Sequence, residues 1–420
     1  MATENNNKTL NVPNKREQSQ TRLGYADRAE QSPQGNVPNL RFPEFSWEWE
    51  KYRLKDIANI SKERIGINML SNNNYISTEN MKSDFGGVDV AINLPASGNV
   101  IKFQKGDTLL SNIRPYLKKI WQAKFDGGCS ADIFVFRSNI LCNSDFLYYT
   151  LANEKFISYA MSGAKGVKMP RGDKEQILKY ELHLPTTIEQ NKITSFLSLL
   201  DERIATQNKI IEKLESLIRG IVETHYSQSE CVNQIRISEL GEPFSTMNMS
   251  KEDLSEEGNE CILYGELFTT YGCVIKEVKS RTHISTNKAT VSQSNDLLFP
   301  ASTTVDAMSL IAPSAICKEG VILGGDLFGV HVNKKYNNEY LSYLINYIYK
   351  SKLARYAQGS TIIHLHYSDI KNATLLLPTI EEQNYLAHIM RGVEEKINIE
   401  KDMLSKLYSQ KAYLLSNLFI

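Results

Sequence analysis

The stretch LPTTIEQNKITSFLSLLDERI, beginning at Leu184, returns as LPTIEEQNYLAHIMRGVEEKI at Leu377. No other feature limits the fold as much, because a segment repeated at a fixed offset makes the chain two copies of one unit. Pro185 and Pro378 stand 193 residues apart, and so do Gly166 and Gly359 just upstream of them. The text between the copies repeats in order but not in residues: YGELFTTYG answers YISTENMKSD, SNDLLFPAS answers KGDTLLSNI, and NEYLSYLINYIYKSKLARYAQGS answers SDFLYYTLANEKFISYAMSGAKG. Short β-type runs such as NVIKF, DTLLSNI and DIFVFR between Gly and Asn turns, followed by one helical run, predict a mixed α/β domain in each half.

Within the first copied segment Ile193, Leu197, Leu200, Ile204, Gln207, Ile211, Leu214, Ile218 and Ile221 fall at alternating steps of four and three, a heptad seam. Moving each by 193 gives Leu386, Met390, Val393, Ile397, Glu400, Leu404, Leu407, Lys411 and Leu414, the same seam with two charged positions. Proline at the entrance suits a helix start, where its missing N–H lacks an intrahelical partner anyway. Glu189 and Glu382 then fall in the first turn, where the helix dipole favours acid. Two packings satisfy the seams. The helices lie antiparallel in centred register, so that Gln207 meets Glu400 as the one polar layer, or each seam packs on its own globular domain. A helix over Ile193–Ile221 is about 43 Å long at about 1.5 Å per residue. That exceeds the roughly 34 Å of one DNA turn, so paired helices of this length suit a spacer between two readers.

At 420 residues the chain is too long for one ordinary core. Hydrophobic residues at 41% and charged residues at 23% describe a globular protein. Residues 1–36, rich in Asn, Gln and charge, are expected to be a disordered tail. The start MATENNNKTL lacks the basic and apolar regions of a signal peptide, and no run of 18 apolar residues occurs, so a cytoplasmic location is expected. Cys129, Cys142, Cys231, Cys261, Cys273 and Cys317 show no C-x-x-C spacing and read as reduced structural thiols. Lys and Arg balance Asp and Glu at 48 each, which excludes a surface that is basic throughout. Residues 51–184 hold 19 basic and 13 acidic residues, and residues 235–377 hold 13 and 15. That surplus in the first half is also within ordinary surface variation.

No G-x-x-x-x-G-K-[ST] phosphate loop and no N/D-P-P-Y/F methylation motif is present. Glu394, Glu395 and Lys396 spell E-x-K, but on the helical seam they read as a solvated flank. His364 and His366 lack a third metal ligand nearby, so no metal site is expected.

With VPNLRFPEF at the first domain's entrance, KGDTLLSNIRPYLKKIWQAKFDGGCSADIFVFR in the first half, LGGDLFGVHVN in the second and the two LPT..EQN helices, the sequence resembles the specificity subunit of type I restriction-modification enzymes. The resemblance covers nearly everything after Val37. It implies an α+β architecture, a tandem pseudo-two-fold repeat of two mixed α/β target-recognition domains joined by two long antiparallel coiled-coil helices. The corresponding segments are 37–184 for the first recognition domain, 185–228 for the central helix, 229–376 for the second domain and 377–420 for the C-terminal helix. It further implies a non-catalytic reader of a bipartite double-stranded DNA target, partnered by two methyltransferase subunits and by restriction/translocase subunits. S-adenosylmethionine, ATP and Mg would enter through those partners, with no cofactor bound by this chain. The alternative from another class is a decoy of the same architecture that binds methyltransferase subunits without reading DNA.

For a reader, two loops stand out. In SNIRPYLKK, Arg114 offers a planar fork suited to guanine O6 and N7, Tyr116 a ring for sugar or base, and Lys118 and Lys119 point charges for phosphate. In GAKGVKMPR, Lys165, Lys168 and Arg171 stand beside two glycines that let backbone approach a phosphate. The counterpart AQGSTIIHLH offers Gln358, Ser360, Thr361, His364 and His366, neutral hydrogen-bonding groups. Different half-sites would require such a difference, and neutral drift would also produce it.

Overall fold

A computed structural model describes residues 35–228 and 233–420. The tail expected over residues 1–36 lies outside the described residues except for Gly35 and Asn36, as does Cys231. The chain divides into two units, Met1–Ala205 with Ser405–Ile420, and Thr206–Leu404. No helix among the described residues is long and apolar enough to cross a membrane.

In the first unit the chain enters through β1 (Glu50–Arg53) and leaves through β2 (Glu181–Leu184), paired antiparallel with Glu50 opposite Leu184. Between them lie two four-stranded sheets. One is ordered Ala58–Ile60, Ile133–Ser138, Thr108–Ser111, Ile120–Gln122, and the other Arg64–Gly66, Asn99–Phe103, Gly127–Cys129, Tyr75–Ile76. Helices α1 (Ser144–Leu151) and α2 (Glu154–Ser162) cover the first sheet with Phe146, Leu147, Phe156 and Ile157 around Trp49 and Phe136. Each of these side chains, once withdrawn from water, contributes about 2 kcal/mol. SDFLYYTLANEKFISYAMS, read as one helical run, is therefore two helices. Asn153 breaks it by accepting the Lys155 N–H at 3.0 Å as a cap, while its own Nδ2 donates to Leu415 O at 2.8 Å.

The second unit repeats the plan. β3 (Asn233–Arg236) pairs antiparallel with β4 (Thr374–Leu377), and two sheets of five and four strands lie between them. α4 (Asn338–Leu344) runs without a break into the π-turn Ile345–Tyr349 and on to Ala354.

β2 and β4 each deliver the chain, through Pro185 and Pro378, to a long helix: α3 (Thr187–Gln228) and α5 (Ile380–Leu418). The prolines are not the first helical residues, as the entrance argument expected. They stand one residue outside the caps, because the Thr hydroxyl oxygen there accepts from the open N–H groups. Thr379 Oγ1 accepts the Glu382 N–H at 3.3 Å and Glu382 accepts the Thr379 N–H at 3.2 Å, a reciprocal capping box. In α3 the matching Glu189 is diverted: its carboxylate is gripped bidentately by Arg41 at 2.8 Å, in the NLRFPEF stretch, with Glu189 nearly wholly buried.

Both seams are apolar contacts between α3 and α5 and run antiparallel in each unit. In the second, Ile211 and Ile218 share a core with Leu386, Met390 and Ile397, while Leu214, Ile221, Val393 and Leu404 pack at its margin. In the first, Ile193 and Leu197 pack with Leu415 and Leu418, and Leu414 borders them. Leu200 and Leu407 are half-buried and Ile204 is buried. Lys411, a charged seam position, reaches Asp201 at 2.6 Å and Lys401 reaches Glu215 at 2.9 Å. Gln207 and Glu400, 1% and 6% exposed, meet within the second unit: the amide donates to Glu400 O at 3.1 Å and also to its carboxylate. The seams also pack on the globular parts, so the two packings left open by the sequence coexist.

Candidate nucleic-acid interface

Lys165 and Arg171 exchange two backbone hydrogen bonds of 2.9 Å, closing a tight hairpin, and 193 residues on Gln358 and His364 do the same at 2.9 and 2.7 Å. Both hairpins turn on a left-handed glycine, Gly166 at φ +97° and Gly359 at φ +118°. A Cβ on Gly359 would stand 2.1 Å from Ile362 O, so only glycine fits there. The frame is common to both units and the tips are not: Val167, Lys168 and Met169 in one, Ser360, Thr361 and Ile362 in the other, all exposed.

Each hairpin docks on a strand-end segment far from it in sequence. In the first unit the Arg114 N–H donates to Pro170 O at 2.7 Å and the Gly172 N–H to Asn112 O at 2.8 Å. SNIRPYLKK and GAKGVKMPR thus form one surface. In the second, Ser302–Thr303 pairs with Ile363–His364, and Thr303, Thr304, Val305, Asp326, Ile362 and His364 line part of a cavity of ≈ 730 Å³.

The basic side chains of the first loop pair differ in how far they are committed. Lys118 pairs with Glu154 at 2.5 Å and Asp84 at 3.8 Å, and the Glu154 hydrogen bond raises its pKa. Lys119 donates to Thr78 O at 2.6 Å. Lys118 and Lys119, expected as point charges for phosphate, thus each hold an oxygen that the sequence places far away. Lys165 pairs with Asp173 at 2.5 Å, which raises its pKa, and Arg171 lies 3.5 Å from Asp132. Among the described residues Arg114 and Lys168 make no ion pair. Arg114 sits in left-handed backbone at φ +49°, and its Nε, like the neighbouring Asn112 Oδ1, is buried without a hydrogen-bond partner. Strained backbone and unsatisfied polar atoms concentrate at binding sites. Tyr116 is exposed beside it.

In the second loop pair Gln358, Ser360, Thr361, His364 and His366 are all exposed. His364 lies 4.0 Å from Asp326, and its ring is nearly parallel to that of His366 at 6.2 Å. Among the described residues no group of three His, Cys, Asp or Glu is placed to hold a metal ion.

Sequence reasoning missed the residues that fasten each domain to its helix. Glu394, read as a solvated flank, is half-buried: it accepts the Cys273 N–H at 3.1 Å and the Tyr343 hydroxyl at 2.5 Å, and burial raises its pKa. Glu395 pairs with Lys276. The EQN letters shared by both copies carried a signal, since Gln190 and Gln383 are both 1% exposed and hydrogen-bonded to the domains.

A family model described as the type I restriction modification DNA specificity domain matches this chain twice, over residues 47–216 and 231–408. The type I restriction enzyme MjaVIII specificity subunit of Methanocaldococcus jannaschii is 22% identical over 417 residues, covering 87% of this chain and 91% of its own. The fold is similar to the crystal structure of a type I restriction-modification system S subunit from M. genitalium, with a TM-score of 0.57 at 15% identity over 91% of this chain and 99% of that one. A chain from a structure of complex assembly and conformational transition in a type I R-M system gives a TM-score of 0.51 at 17% identity, covering 88% and 97%.

Proposed function

Because the chain belongs to the type I restriction modification DNA specificity family, whose domain it carries twice, we propose that it reads a bipartite, asymmetric DNA target, one half-site through residues 37–184 and the other through residues 229–376. It is a specificity subunit, non-catalytic by itself, whose two recognition domains confer DNA sequence specificity. The observation that carries the bipartite reading is the pair of hairpins at 165–171 and 358–364, alike in backbone and unlike at the tip. A common frame holds both tips ready for a groove, and different side chains at the tips read different bases.

Arg114 is assigned to a base edge and Lys168 to phosphate, with Tyr116, Lys165 and Arg171 on the sugar–phosphate backbone. Lys118 and Lys119, positioned by Glu154 and Thr78, present their charges to phosphate. In the second domain Gln358, Ser360, Thr361, His364 and His366 supply neutral donors and acceptors to base edges. Apolar side chains left exposed on the long helices, Phe196 and Leu199 in the first unit and Leu217, Tyr385 and Ile399 in the second, support docking of two methyltransferase subunits. Those subunits would supply S-adenosylmethionine and the transfer to adenine. Restriction/translocase subunits, with ATP and Mg, complete the assembly in the cytoplasm.

Methylome sequencing of cells expressing the chain with type I methyltransferase subunits tests this. One bipartite, adenine-methylated motif is the expected result. Inhibition of methylation by the added chain would favour the decoy instead.

Within the assembled methyltransferase, Arg114→Ala is expected to cost about 1–3 kcal/mol of binding and to relax one base of the first half-site. Lys168→Ala weakens cognate and scrambled duplexes alike and lowers the salt slope by about 1. Titration of both duplexes at several salt concentrations checks the pair; an Arg114→Ala affinity equal to the parent's on both would remove Arg114 from the site.

A further inference from the structure

Beyond the apolar packing of its core on the long helix, each recognition domain is fastened there at two polar points that recur in both units. At the first point Gln190 Oε1 accepts the Asn143 N–H at 2.8 Å, while Gln190 Nε2 donates to Leu141 O and Pro185 O, both at 3.0 Å. Asn191 Oδ1 accepts from Asn143 Nδ2 at 2.6 Å, and Asn143 in turn caps α1. In the second unit Gln383 accepts the Asn337 N–H at 3.0 Å and donates to Pro378 O at 2.9 Å. Asn384 accepts from Asn337 Nδ2 at 2.8 Å, and Asn337 caps α4.

The second point lies eleven residues further along each long helix and six along each recognition helix. Asp201 accepts the Tyr149 hydroxyl at 2.8 Å, and Glu394 accepts the Tyr343 hydroxyl at 2.5 Å. Eleven residues are close to three full turns, so both fastenings lie on one helix face, about 16 Å apart. A single hydrogen-bonded point permits swivelling. Two points at that separation fix a direction. Both tyrosines are buried, and a buried hydroxyl without its acceptor is costly, so neither bond opens cheaply.

We propose that Gln190, Asn191 and Asp201, with their counterparts Gln383, Asn384 and Glu394, are positioning residues that fix the angle of each recognition domain on its helix and so the half-site separation that the assembled enzyme accepts. This inference rests on the reading of the domains as two half-site readers. Each base pair added between half-sites turns one about 34° relative to the other at about 10.5 base pairs per turn, so a domain held at one angle accepts one spacer and a swivelling domain accepts its neighbours as well.

The test uses the complete methyltransferase complex and a library of duplexes in which the two half-sites are separated by every spacer within three base pairs of the parent's. Tyr149→Phe with Tyr343→Phe removes two hydroxyls and little volume; Glu394→Ala removes both hydrogen bonds, and Glu394→Gln restores them, its oxygen accepting the Cys273 N–H and its amide donating to the Tyr343 oxygen. For the Phe pair and for Glu394→Ala, methylation at spacers one base pair longer or shorter is expected to rise at least tenfold relative to the parent, with the half-site bases unchanged. Glu394→Gln is expected to restore the parent's stringency. An equal fall at all spacers, or stringency unchanged in a complex that still methylates, overturns the inference and leaves the residues merely structural. A parent complex that methylates no bipartite target overturns the functional reading itself, and this inference with it.

Discussion

A chain ending at Leu414 is expected to lose the first recognition domain, more than two hundred residues away in sequence. Leu415, Leu418 and Phe419 are buried in the core of that domain, with the Phe419 ring 5.1 Å from the ring of Phe146. The backbone there is also in use: Asn153 and Lys155 donate to Leu415 O and Phe419 O, and the Leu40 N–H donates to Asn417 O at 2.9 Å. Removing one buried Leu or Phe side chain costs about 2–5 kcal/mol. Three such losses match the whole stability of a typical domain, about 5–15 kcal/mol. Hydrogen exchange read unit by unit should show protection lost over residues 35–205 and kept over 206–404, with the first half-site no longer read. The single change Phe419→Ala should cost about 3–5 kcal/mol. Unaltered protection of α1 and α2 in the shortened chain would show that the C-terminal residues do not hold that core together.

The repeat and the seams were legible because periodicity is written in neighbouring residues, and a polar position such as Gln207 stands out against Ile204 and Ile211 on either side. What lay over each residue was not legible. Glu394 looks like any solvated heptad flank until Cys273 and Tyr343, 121 and 51 residues upstream, are folded onto it. In the same way a lysine in SNIRPYLKK shows only its own charge until Glu154 is brought to 2.5 Å from Lys118. Charge counting sees the lysines and not their partners, so Arg114 and Lys168 could not be separated from the rest by sequence alone. Asn153 had a local signal, a capping residue followed by Glu and Lys within a helical run, and the break there was open to inference.

Gln207→Leu alone is expected to destabilise the second unit by about 1–3 kcal/mol, since the buried Glu400 carboxylate keeps its pairing with Lys396 at 2.5 Å but loses the amide that donates to it inside the seam. Glu400→Leu alone costs less, about 1–2 kcal/mol, because the amide left behind is neutral and can turn toward backbone. With both changed, the layer becomes like those on either side of it, Ile204 above and Ile211 below, and the pair should be at least as stable as the parent. The two changes therefore fail to add by several kcal/mol, which a double-mutant cycle of thermal or urea unfolding measures directly. Stability gained this way carries a cost in register. In the parent chain any slip of α5 along α3 by a heptad buries Gln207 and Glu400 against leucine and isoleucine, each without the other, whereas the Leu pair has no such penalty. Cysteines placed at Lys401 and Glu215, now joined by an ion pair at 2.9 Å, should be linked by a short bifunctional thiol reagent in one pairing in the parent. In the Leu pair the same thiols should also be trapped in shifted pairings when further cysteines are placed a heptad away. A single pairing in both would mean that the globular domains, and not the polar layer, hold the helices in place.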